Sequence, residues 1–215
     1  MGDRDLRRLV LDELDFDPSI DARNIGVAVK DSIVTLTGHI TSFAEKYNAE
    51  RAVQRVKGVR GLAQELEVRL SPSVQTEDDQ LARRVVDMLA WDSTVPADKI
   101  QVKVQNAWVT LGGTVDWDYQ RRSCESTVRR LAGIRGIVND VKVREHVHTG
   151  DLRSSVDKAL QRSAEIEAKG IRLQVLGGSV TLSGQVHSWH ERNAVQQAVW
   201  AVPGVTAVVN QLAIS

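Results

Sequence analysis

One residue pattern is written three times along this chain, and that repetition limits what it can fold into more than any other feature. A glycine closing a Val-Thr-Leu run occurs as Gly38, Gly113 and Gly184, and a second glycine follows 20 residues later each time, at Gly58, Gly133 and Gly204. The copies are offset by 75 residues (Gly38 to Gly113) and then by 71 (Gly113 to Gly184). Both offsets hold without a gap from Leu6, Leu81 and Leu152 at the start of each copy to Val68, Val143 and Ile214 at its end. A period this long carries a complete core pattern of its own, so it reads as tandem small domains rather than a thin solenoid. The domains fall near residues 3–70, 77–145 and 149–215, joined by short polar linkers at 71–76 and 146–150.

Each copy opens on an amphipathic helix: Leu6, Val10 and Leu14, then Leu81, Val85 and Leu89, then Leu152, Val156 and Leu160, four apart on one face. Alternation follows in Ile25-Val27-Val29, Ile100-Val102-Val104 and Ile171-Leu173-Val175, the mark of a half-buried strand. Turn residues (Lys30-Asp31-Ser32, Gln105-Asn106-Ala107, Leu176-Gly177-Gly178) lead to a second strand through Val34-Leu36, Val109-Leu111 or Val180-Leu182, making a β-hairpin. The Gly38, Gly113 and Gly184 set is expected to close that strand. A second helix then begins. Ser42 with Glu45 and Ser188 with Glu191 form capping boxes, while Asp116 and Asp118 offer carboxylate caps in copy two. Gly58, Gly133 and Gly204 are expected to end the helix as left-handed caps. A third strand closes the unit at Leu62-Leu66-Val68, Ile137-Val141-Val143 and Val208-Leu212-Ile214. The expected class is α+β: three tandem α-β-β-α-β modules, each a three-stranded mixed sheet with two helices on one face.

These residues resemble the BON domain, a module of osmotically inducible periplasmic proteins, haemolysin-like lipoproteins and secretin-associated proteins. The match rests on the Val-x-Val-to-Val-Thr-Leu-x-Gly run, from Val27 to Ile40, Val102 to Val115 and Leu173 to Val186. It rests also on the exits Val56-Lys57-Gly58-Val59, Leu131-Ala132-Gly133-Ile134 and Val202-Pro203-Gly204-Val205. The resemblance implies a non-catalytic binding module that contacts phospholipid or envelope surfaces, or protein partners, in osmotic or envelope stress. Because a relative binds potassium, it implies as an alternative a small-ion sensor or a transport-associated protein.

Charge narrows the partners. The 28 basic and 28 acidic residues cancel, and no copy is basic enough to neutralise a phosphate backbone, which argues against nucleic acid. The opening residues carry charges of both signs and no apolar stretch, so no secretory signal or membrane span is expected, and a cytoplasmic protein, peripheral to the inner membrane if bound there, is the reading. Cys124 is the single cysteine and stands where the other copies have Ala49 and Val195, which fits a small buried side chain. Neither a phosphate-binding glycine loop nor a nucleophile motif occurs, so no catalytic residue and no cofactor is assigned. His187 and His190 at a helix entry, and His146 and His148 in a linker, have ligand-like spacing but read as solvated side chains rather than ligands; no metal is assigned.

The aromatics are the candidate binding residues. Phe43, Trp117 and Trp189 all fall at the entry to the second helix, where they would either dip into a lipid headgroup layer or staple the helix start. Trp108 replaces Ile33 and Ser179 and is expected on the sheet face opposite the helices. Arg121-Arg122 and Arg129-Arg130 give copy two a basic strip that reads as solvated. Open sheet faces and edges on three small cores lead us to expect self-association into a small homo-oligomer through those faces.

Overall fold

The computed structural model describes residues 2–145, 151–163, 166 and 170–215. Module one runs α1 (Asp3–Phe16), a 3-10 turn (Ala22–Asn24), β1 (Ile25–Lys30), β2 (Ile33–Ile40), α2 (Phe43–Arg55) and β3 (Gly61–Val68). Module two repeats it with α3 (Asp78–Trp91), a 3-10 turn (Ala97–Lys99), β4 (Ile100–Gln105), β5 (Trp108–Val115), α4 (Asp118–Arg129), β6 (Gly136–Asn139) and β7 (Lys142–Val143). Module three has α5 (Leu152–Arg162), β8 (Ile171–Leu176), β9 (Ser179–Val186), α6 (Trp189–Trp200) and β10 (Ala207–Ile214).

The expected class is the observed one. Each sheet closes within its own module: β1-β2-β3, β4-β5-β6 with β7 also on β5, and β10-β9-β8. The hairpins are antiparallel, Val27 opposite Leu36, and the strand reached through a helix is parallel, Val34 opposite Leu62. Alternation then sends one set of side chains inward. Val34, Leu36, Val109, Leu111, Val180 and Leu182 are all fully buried, under the helix residues Val10, Leu14, Val85, Leu89, Val156 and Leu160. The chain forms two compact units. One holds module one and most of module two; the other holds module three with Thr114–Gln120 and the segment from Lys142 onward.

The glycines correct the sequence reading in two ways. Gly38, Gly113 and Gly184 do not close the strand but lie inside β2, β5 and β9, two residues before the end, at φ of 110°, 122° and 123°. A Cβ there would lie 2.1 Å from the carbonyl oxygen of Asn24, Lys99 or Gly170, the residue just ahead of the first strand. The chain crosses its own hairpin so closely that only hydrogen fits. Gly58, Gly133 and Gly204, at φ of 96°, 92° and 98°, are not helix caps either. The helix α2 has already ended at Arg55, and Val59 N–H donates to the Val56 carbonyl at 3.4 Å, placing Gly58 third in a four-residue turn. Val205 closes on Val202 in the same way at 3.2 Å, with Pro203 and Gly204 between, the residue order a type II turn demands.

Polar joints then fasten helices to the hairpins. The two-residue turns Asp31-Ser32 and Asn106-Ala107 sit at positive φ without glycine. The first residue of each opening helix explains it. The Asp3 carboxylate accepts from the Asp31 and Ser32 N–H groups at 2.9 and 3.1 Å, and Asp78 accepts from Asn106 and Ala107 at 2.7 and 2.9 Å. A charge-assisted pair of this kind offsets the strain of two left-handed residues. The capping boxes are present: Glu45 N–H donates to Ser42 and Glu191 N–H to Ser188, both at 3.1 Å. The Glu45 carboxylate returns to the Thr41 N–H at 2.9 Å and also receives the Asp21 N–H at 2.8 Å, tying the helix to the loop after α1. In module two the return is made by Gln120 instead, its oxygen accepting from Asp116 and Trp117 N–H at 3.0 Å each. That amide takes the place of the glutamate of the other two capping boxes.

At the far end of the opening helix, Asp17 accepts from the Ser19 hydroxyl at 2.6 Å and from Arg55 at 3.0 Å, and Asp92 accepts from the Thr127 and Thr94 hydroxyls. The Ser19 hydroxyl, ahead of Arg55, holds the Asp17 carboxyl below its usual range, and Thr127, ahead of Thr94, does so for Asp92. A folded-state value below the unfolded one means these bonds add stability above the ordinary aspartate value and lose it as pH falls through the lowered one. Asp17→Asn and Asp92→Asn should each cost about 1 kcal/mol at pH 7, kept small by solvent, and the difference from wild type should shrink in urea melts as pH falls below the ordinary aspartate value. The glycine reading has its own internal control. Gly113→Ala should cost at least about 2 kcal/mol in urea melts, whereas Gly112→Ala, whose Cβ would meet nothing closer than Gln101 at 4.0 Å, should stay well under that.

Candidate functional site

Trp108 opens β5 and pairs with Gly136 across the parallel ladder. Its ring lies flat over that glycine, so a Cβ on Gly136 would sit 2.3 Å from the indole. The same pairing joins Ile33 to Gly61 in module one and Ser179 to Ala207 in module three, so residue size is exchanged between neighbouring strands. Even so the indole is 49% exposed. Beside it Lys103, Gln105, Asn106, Thr110 and Arg135 complete an open depression of about 340 Å³. No carboxylate among the described residues lines it. Two cations around a half-exposed aromatic suit a ligand with an anionic group and an apolar edge. Neither of the other modules reproduces it: Lys103 corresponds to Ala28 and Gln174, and Arg135 to Arg60 and Thr206.

The helix-entry aromatics are not one set. Phe43 and Trp189 are the first residues of α2 and α6, and both are half-buried. Trp189 packs on the core of module three, with the Arg192 guanidinium 5.4 Å over its ring. Trp117 instead occupies the capping position held by Ser42 and Ser188 and is 40% exposed. The residue matching Phe43 is Asp118, which is buried.

The basic strip of α4 is not merely solvated. Arg129 stacks 3.6 Å from the centre of the Tyr47 ring, joining modules one and two. Burial, helped by the nearby Glu125 charge, pushes the Glu50 carboxyl up at the same junction. Arg121 aligns with two residues that share a device. At its matching positions the Lys46 ammonium donates to the Leu66 carbonyl at 2.8 Å and Arg192 donates to those of Leu212 and Asn210 at 3.2 and 3.0 Å. Facing them, Gln64 donates to the Lys46 carbonyl and Asn139 to the Arg121 carbonyl. Sequence reading passed over Asp3, Asp78, Lys46, Arg192, Gln64 and Asn139, although the 75- and 71-residue offsets align each with a polar residue in another copy. They are joints of the fold, not ligand groups.

Among the described residues no group of three His, Cys, Asp or Glu side chains is placed to hold a metal ion. The His187 ring nitrogen lies 3.3 Å from the Ser215 hydroxyl, and the His187 backbone N–H donates to the Glu191 carboxylate at 2.7 Å. His146 and His148, with the second linker, lie outside the described residues. No described helix is long and apolar enough to cross a membrane.

Three stretches, residues 2–69, 77–145 and 148–215, each match the BON domain family model, covering nearly the whole chain. The chain belongs to the BON domain family. Among known proteins it is similar to osmotically-inducible protein Y of Escherichia coli (strain K12), 27% identical over 130 residues. That match takes in 59% of this BON chain and 65% of the relative, just under two thirds of its length. Solved structures of CdsD, a structural protein of the type III secretion system of Chlamydia trachomatis, align at 12% and 13% identity. They cover 100% and 98% of this chain and 100% and 92% of theirs, with a TM-score of 0.28 in each case. A superposition that loose carries no argument.

Within the BON core of module two, Cys124 is fully buried, and burial, ahead of the nearby Asp92 charge, pushes its thiol up to about 11. Alkylation of the native protein at pH 8 should therefore be slower than in urea by on the order of a hundredfold or more, read by mass spectrometry over time.

Proposed function

We propose that this BON protein is a non-catalytic binding protein of osmotic or envelope stress that attaches to anionic phospholipid surfaces through the Trp108 face of module two. The observation that carries the reading is the depression lined by Trp108, Lys103 and Arg135, with no acid among the described residues that line it. An indole seats well at the headgroup level, and each nearby cation adds attraction to an anionic leaflet. Trp117 is also exposed, while Phe43 and Trp189 serve chiefly to hold their helices. The chain's zero net charge limits long-range attraction, so the local pair has to act at contact range. The similarity to an osmotically inducible protein supports the stress setting, and the place of action follows as peripheral to a membrane.

Co-sedimentation with vesicles of phosphatidylglycerol and phosphatidylcholine tests it. Wild type should pellet with the anionic vesicles at low salt and be released as salt rises. Lys103→Glu and Arg135→Glu should each lower the partition coefficient about fivefold or more, from roughly 1 kcal/mol per lost cation. Trp108→Ala should weaken binding in zwitterionic and anionic vesicles alike. A wild type that stays in the supernatant with pure phosphatidylglycerol at low salt would end this reading. Calorimetric titration with potassium, run in parallel, tests the ion-sensing alternative directly.

A further inference from the structure

The three copies serve as controls for one another between the two helices of each module. In module one the gap between α1 and α2 is closed by Arg55, which reaches Glu13 at 2.7 Å and Asp17 at 3.0 Å. Adding 146 residues (75 and 71) gives the matching positions in module three: Ala159 for Glu13, Ser163 for Asp17 and Ala201 for Arg55. Every member of the ionic staple is lost at once. What remains is an open groove of about 240 Å³ between α5 and α6, its floor formed by Ala159, Ala198, Val202 and Pro203. The rim has also changed sign. Lys158 and Arg162 line it where module one has Asp12 and Phe16, and no carboxylate among the described residues lines it.

The outer face of α1 has the opposite character. Asp5, Leu9, Asp12 and Phe16, spaced four, three and four, form one stripe turned away from the buried Leu6, Val10 and Leu14. Phe16 is 84% exposed and Leu9 39%, an uncovered aromatic beside two acids; the flanking Arg8 and Asp15 cancel each other. Trp91 holds the matching place on α3 and is 89% exposed, but there Arg84 offsets Asp87 and leaves the stripe neutral.

We propose that the α5–α6 groove of module three receives Phe16 of a second copy of this chain, with Lys158 and Arg162 facing the acidic stripe of that copy's α1. This is helix-in-groove recognition with complementary charge, and it is independent of the lipid reading. The contact joins two different surfaces, so it runs head to tail. Each added chain leaves one groove and one α1 free, and assemblies grow with concentration unless they close into a ring. The open sheet faces are not needed for it.

Sedimentation velocity on the full chain decides the matter. Wild type should move from its 23.8 kDa monomer to dimers and larger species across the micromolar range, less so at high salt. Phe16→Asp should abolish this, and so should the Lys158→Glu/Arg162→Glu double variant; all three positions are exposed, and circular dichroism should show the fold retained. Mixed one to one, these two variants should form a species of twice the monomer mass that grows no further. The donor-blocked chain still offers a groove, and the groove-blocked chain still offers an α1. Trp91→Asp and Trp108→Glu should associate like wild type. A wild type monomeric at several hundred micromolar, a mixture that stays monomeric, or undiminished association of Phe16→Asp would each overturn the proposal. Loss of association in Trp108→Glu alone would assign it to the sheet face instead.

Discussion

Each module depends on the close crossing of a loop carbonyl over a glycine inside the hairpin. Asn24, Lys99 and Gly170 bring their carbonyl oxygens to a point that any side chain on Gly38, Gly113 or Gly184 would occupy. The contact fixes where the first strand begins, Ile25 opposite Gly38 and Ile100 opposite Gly113. A slip of one residue would turn every inward valine and leucine outward. The hairpin register therefore rests on one absent Cβ, and the helices pack on a face already defined.

The same fold was built three times with different side chains at the joints. Asp3 and Asp78 clamp hairpin turns made of ordinary residues, whereas the third turn uses Gly177, which adopts a left-handed φ of 57° at no steric cost. Lys46 and Arg192 both reach the backbone of the last strand, one with an ammonium and one with a fork. Burial lowers the Arg192 pKa, yet carbonyl oxygens from two residues meet its donors. Where the joints agree, the residue serves the fold. Where a copy drops one without replacement, as module three drops the Arg55 staple, a surface is released for other use.

The structure also reassigns residues that share a type. Trp108, Trp117 and Trp189 look alike in a list, but one lies across a glycine on the open sheet face, one takes a capping position and one packs on a core. Their matching positions in the repeat already separated Trp117 from the other helix-entry aromatics. What that alignment could not convey is exposure, which depends on what the opposite strand carries: Gly136 leaves room for an indole to lie flat.

Sequence alone determined the number of modules, the order of elements, the core positions of each helix and strand, and the capping boxes. All of these follow from periods of 3.6 and 2 and from contacts within a few residues. Only the tertiary structure decided that the strand glycines sit beneath a carbonyl, that Asp3 meets a turn 28 residues away, and that Arg129 lies on Tyr47. It also decided that the Trp108 depression and the α5–α6 groove stand open. These rest on distances between residues far apart in the chain, and polar joints leave no periodic trace: a charged residue facing a distant carbonyl looks in sequence like one facing water.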